Sequence, residues 1–233
     1  MTTTSTKIFQ CLEELTAQQL VRRLRRYSSK EQIVTNPETG GTTTLHTTIE
    51  RIRSTDNERI VRGYVRYDTG IEIRQREGPL RYIVKTNEVP FSFLLGNIHF
   101  IPFASSAEAN VIAEKMNQIV FEDMQEPILS CNITPPRIED FLQNNPNEIT
   151  NCWWTNVRIP NLSRAGLGGT GIDRTTDFRR YDTHGDKGSI RLRLLEHGWS
   201  ILINQYASVV FYSNVERDEI EDFLRREIIP RCN

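Results

Sequence analysis

Two segments of the chain, 108 positions apart, share one short pattern: a strand ending in Phe, then a Ser, then a Glu three residues on, then apolar residues at every fourth position. Phe103, Ser105, Glu108, Ile112, Met116 and Val120 correspond to Phe211, Ser213, Glu216, Ile220, Leu224 and Ile228. Ser and Glu at this spacing form a capping box, each side chain satisfying a backbone N–H that the helix start leaves unpaired. The apolar residues then make one buried stripe. A strand feeding a capped amphipathic helix, twice, at the spacing of a small domain, predicts an α+β fold of two pseudo-repeated halves. Each half is expected to be an antiparallel sheet packed against a C-terminal amphipathic helix. Residues 122–136 turn acidic and gain prolines, ending in Pro135-Pro136, which reads as a connection. The halves are therefore expected at 1–126 and 127–233.

The first half opens with another capping box, Thr16 to Gln19, followed by Leu20, Val21, Leu24 and Tyr27 at helical spacing, with Arg22, Arg23, Arg25 and Arg26 on the other faces. From Thr43 to Lys85 the period changes to two. Strands are expected near 43–53, 58–67, 70–76 and 80–86, with turns at Asp56-Asn57, Asp68-Thr69-Gly70 and Glu77-Gly78-Pro79. Ile98 to Phe103 adds a fifth. In the second half Ile138 to Gln143 reads as a short helix and Ile149 to Ile159 as a strand. Ile190 to Glu196, Trp199 to Asn204 and Ser208 to Tyr212 form a meander. Between them, 161–188 is rich in Gly, Asp, Thr and Arg and is read as a long irregular excursion.

A chain of 233 residues with a formal net charge of −1 is too nearly neutral to be wrapped in nucleic acid or held on a membrane by charge alone. No apolar run is long enough to cross a bilayer, and 1–7 is too polar for a secretory signal, so a cytoplasmic location is expected. Cys11, Cys131, Cys152 and Cys232 show no C-x-x-C pair, which leaves zinc and redox-motif chemistry without support; neither metal nor cofactor is expected. Only five basic residues are lysines (7, 30, 85, 115 and 187); the rest are arginines, whose planar fork suits phosphate and aromatic faces.

That skew directs attention to the first sheet. Period two puts Arg62, Tyr64 and Arg66 on one face of one strand and Arg74 and Arg76 on one face of its neighbour. Arg51 and Arg53 extend that face on one side, Arg81 and Lys85 on the other. Arginines interleaved with tyrosine offer phosphate contacts and stacking, so a non-enzymatic, nucleic-acid-binding protein is expected, with Arg22 and Arg26 of the basic helix contributing. Glu50, Glu72 and Glu77 in the same strands argue for plain solvation by ion pairs.

Two further functions fit the pattern. In a metal-dependent phosphohydrolase, Glu50, Glu72 and Glu196 would hold a cation and Arg62, Arg66, Arg74 and Arg191 a polyphosphate. A protein-interaction subunit, in a homodimer or larger complex, would use an exposed Trp. Gly166 to Gly171 lacks the strand, helix and Lys context of a phosphate loop and reads as a flexible loop. Asp182, His184 and Asp186 read as a turn. Trp153 and Trp154 must face opposite sides of a strand; the outward one could serve as a stacking platform or a protein contact, or lie beneath the 161–188 excursion, and burial is the expectation.

Overall fold

The computed structural model describes residues 3–26, 29–35, 40–55, 59–73, 81–96, 98–121 and 127–233. It is an α+β protein, with two antiparallel sheets and five α-helices among the described residues. The chain divides into two compact units: Gln10–Phe103 with Glu108–Leu129, and Met1–Phe9 with Ala104–Ala107 and Ser130–Asn233. Among the described residues no helix is long and apolar enough to cross a membrane.

The sheet of the first of these units runs β3 (Ser29–Thr35), β4 (Thr42–Ser54), β5 (Ile60–Ile73), β6 (Arg81–Leu94), β7 (His99–Pro102), β2 (Phe9–Cys11), β8 (Ile128–Ser130) in spatial order. In β5 the alternation is strict: Val61, Gly63, Val65 and Tyr67 are buried, and the residues between them are not. Helices α1 (Ala17–Arg26) and α2 (Ser106–Val120) cover the buried face. Leu20 and Leu24 of α1 and Ile112, Met116 and Val120 of α2 are buried, as their spacing predicts. Thr16 and Gln19 make the expected reciprocal cap, at 3.2 and 2.9 Å. Tyr67 fixes α2 by donating to Glu108 at 2.8 Å, and burial together with that carboxylate pushes the phenol pKa up.

Several expectations change here. β5 does not turn at Asp68-Thr69-Gly70 but runs straight through, because the partner strand satisfies these polar residues. Thr86 donates to Asp68 at 2.7 Å and Asn87 to Thr69 at 3.1 Å. β6 likewise continues to Leu94. The expected turns at 56–57 and 77–79 lie outside the described residues.

The sheet of the other unit runs β1 (Thr4–Lys7), β13 (Ser208–Phe211), β12 (Trp199–Asn204), β11 (Asp186–Leu194), β9 (Asn147–Thr155), β10 (Ala165–Gly168). The Thr-rich start is thus a strand, paired along β13. Helices α3 (Pro135–Asn144) and α5 (Arg217–Phe223) pack on its apolar face, where Phe141, Phe211 and Phe223 meet edge to face. Pro135 and Pro136 open α3 instead of forming a connection, since the first helical turn needs no N–H from them. The cap of α5 is Glu216 with Glu219, three residues beyond the expected Ser213, which instead accepts from the Ser200 N–H at 2.9 Å. Ile220, Leu224 and Ile228 are buried, although after Phe223 the helix widens into a π turn. Residues 161–188 are not irregular: they supply β10 and α4 (Thr176–His184), whose N-cap Thr175 accepts from the Phe178 N–H at 3.2 Å.

Gly63 shows how tightly the first sheet is packed. It stands opposite Phe91, whose ring lies 5.8 and 5.7 Å from Phe93 and Phe100. A Cβ at position 63 would fall 2.6 Å from the Phe91 ring and 3.2 Å from the Glu50 carbonyl. Gly63→Ala is therefore expected to destabilise the protein by about 1–3 kcal/mol through overpacking, despite alanine's better backbone entropy. A urea titration with unchanged or higher midpoint would contradict this.

Candidate nucleic-acid interface

The face of β4, β5 and β6 turned away from α1 and α2 carries the arginines. Because Val61, Gly63 and Val65 point into the core, Arg62, Tyr64 and Arg66 point out together. The strand β4 joins them by an irregularity. Glu50 pairs with Tyr64 and Arg53 with Arg62, so β4 spends two residues where β5 spends only Gly63. This is a β-bulge, and Arg51 takes it up with φ of 52°. A left-handed conformation costs a non-glycine residue roughly 1–2 kcal/mol. Two contacts of the side chain offset it: the Arg51 guanidinium forks onto Glu88 at 3.2 Å through both amino groups, and stacks over Tyr64 at 4.7 Å.

The bulge brings Glu50, Arg51 and Arg53 to the face of Arg62, Tyr64 and Arg66. Acids share it. Glu88 lies opposite Arg66 but is occupied by Arg51, Glu50 accepts from Thr48 at 2.9 Å, and Asp68 accepts from Thr86 and from the His46 N–H. Those two bonds hold the Asp68 carboxyl below its ordinary pKa. Arg53 and Arg66 are exposed and make no ion pair among the described residues. Arg53 and Arg62 stand directly opposite one another on adjacent strands.

The other residues named from the sequence are not gathered there. Arg74 and Arg76 lie outside the described residues. Lys85 pairs with Thr69, so it falls on the face of Tyr67 and Val89, opposite to Arg66, because the register of β6 fixes its parity. Arg22 and Arg26 are exposed on α1, which packs on the other side of the sheet. Their neighbour Arg23 pairs with Glu13 and lies over the Phe121 ring.

Among the described residues no three His, Cys, Asp or Glu side chains are placed to hold a metal ion. Asp182, His184 and Asp186 do not form a turn; Asp182 and His184 belong to α4 and Asp186 begins β11. No local pattern hints at what Asp182 does. It pairs with Lys187, which is buried and also pairs with Glu139, at the wall of an open cleft of about 630 Å³ between α3 and α4. Burial alone would lower the pKa of Lys187, but the two carboxylates outweigh it and raise it. Trp154 donates to Asp182 at 3.3 Å and packs on Phe178. Behind them burial pushes the Cys152 thiol up to about 12, so it is inert at neutral pH.

The chain matches no protein-family model and no curated protein.

The Lys187 cluster is fully paired, and its expected role is stability. Lys187→Ala should cost about 2 kcal/mol, less than a wholly buried pair because Glu139 and Asp182 keep contact with water. A raised lysine pKa makes this contribution complete below the ordinary lysine value of 10.5 and lost as pH climbs through the higher folded value. The difference in stability between wild type and variant should therefore stay flat from neutrality to about pH 10 and close only above it. Denaturant titrations across that range that show the gap closing near neutrality would refute the assignment.

Proposed function

We propose that this is a non-enzymatic nucleic-acid-binding protein that holds the phosphate backbone on the face of β4 and β5 turned away from α1 and α2. The observation that carries the proposal is the gathering of Arg53, Arg62, Tyr64 and Arg66 on one face of two paired strands, with Arg53 and Arg66 exposed and in no ion pair among the described residues. A phosphate held on this face gains charge-assisted hydrogen bonds from the guanidinium forks. The αL conformation of Arg51 supports the same reading, because a strained backbone is kept where a side chain must be aimed. Arg22 and Arg26, on the other side of the sheet, are left out of the interface. Under this reading the halves are pseudo-repeats, each outer sheet face bearing an arginine stacked on a tyrosine: Arg51 on Tyr64, and Arg191 on Tyr212 at 4.0 Å.

Three phosphate contacts predict a log–log salt slope of about −2 for a single strand. Arg53→Ala, Arg62→Ala and Arg66→Ala should each flatten that slope by about 0.7 and weaken all sequences alike. Arg22→Ala should leave both unchanged. Anisotropy titrations with a labelled oligonucleotide decide the matter: no binding at low salt, or binding indifferent to all three substitutions, ends the proposal.

A further inference from the structure

The second unit carries an aromatic surface that the arginine pattern does not reveal. Trp154 is buried, and alternation along β9 sends its neighbour Trp153 to the opposite face, where it is 42% exposed. The expected cover, the 161–188 segment, does not lie over it. That segment runs beside it as the edge strand β10, pairing Gly166 with Trp153 and Gly168 with Asn151. A Cβ at Gly166 would stand 3.0 Å from Trp153 Cδ1 and 3.2 Å from Nε1, and one at Gly168 would stand 2.4 Å from Asn151 Nδ2. The glycines of the Gly-Leu-Gly stretch thus leave room for the indole to lie across bare backbone. One side of the ring rests on Gly166 while much of the residue meets solvent.

The same face supplies charge. Asn151 pairs with Arg191, and Arg193, exposed, is two residues further along β11. Arg193 stands opposite Glu148, but no ion pair joins the two among the described residues. Trp153 and Arg191 are diagonal neighbours on adjacent strands, their backbones roughly 7–8 Å apart, with the Arg191 guanidinium over the Tyr212 ring at 4.0 Å, so ring and charge are spread along one face.

We infer that Trp153 is a stacking platform for an unpaired base of a single-stranded nucleic acid, with Arg191 and Arg193 on the adjoining phosphates. A flat indole accepts any base through its π face, and the neighbouring guanidiniums select a polyanion over a neutral sugar or an apolar peptide. The inference rests on the reading that this protein binds nucleic acid, and adds to it a contact in the other unit.

The test is tryptophan fluorescence of the full chain titrated with short oligothymidylate, alongside anisotropy for affinity. Wild type should be quenched on binding. Trp153→Phe should keep affinity within about threefold, since a phenyl ring still stacks, yet lose most of the quenching, and Trp153→Ala should weaken binding about tenfold or more. Both substitutions are at an exposed position, and circular dichroism confirms that each variant is folded. If oligothymidylate binds and Arg53, Arg62 and Arg66 matter while Trp153→Ala changes nothing, this inference is overturned and the sheet-face proposal stands. Binding that needs Trp153 but not those arginines overturns the sheet-face proposal and upholds the stacking platform. Quenching by an oligosaccharide or a peptide and not by oligothymidylate, or no quenching at all, also overturns the platform.

Discussion

Everything on the candidate face follows from how the first sheet disposes of Gly63. With no Cβ there, Phe91 can swing across β5 and join Phe93 and Phe100 in one aromatic cluster. That cluster pins the inward parity of β5, and a strand whose inward residues are fixed has its outward residues fixed as well. The same glycine is the lone residue on β5 that faces the bulge of β4, with the Glu50 carbonyl close above it. Core packing and surface charge placement are thus two sides of one local arrangement. Gly63 and Arg51 are coupled through the bulge even though they belong to opposite faces of the sheet.

The outward run Arg62, Tyr64, Arg66 is legible in the sequence because a period of two is a property of the chain itself. The rest of the face depends on pairing across strands. Arg51 and Arg53 share it with Glu50 only because a residue is inserted in β4, and no local pattern marks that insertion. Lys85 departs from its expected face for the same reason: its parity is set by Thr69, 16 residues away across the hairpin, not by its own neighbours. Asp68-Thr69-Gly70 has the composition of a turn, and what makes it a strand is Thr86 and Asn87 on β6.

Glycine and proline make the same point in the second unit. A Gly-rich run lacking a phosphate-loop context reads naturally as a flexible loop, since composition says nothing of what lies alongside it. The use of Gly166 and Gly168 is close approach: Trp153 and Asn151 on β9 occupy the space their side chains would fill. Pro135-Pro136 cannot continue a helix, and the same missing N–H suits the pair to begin one.

Charge clusters separate into two kinds once their partners are known. Lys187 is surrounded: Glu139 and Asp182 balance it, Trp154 satisfies Asp182 further, and nothing in the group calls for a ligand. A buried cation so completely matched holds α3 and α4 to β11 and is costly to disturb. Arg53 and Arg66 are of the other kind: exposed, in no ion pair among the described residues, and held in place by a register the core dictates, where moving them would slip every inward residue of the strand. Register, not the number of arginines, is therefore what singles out this face.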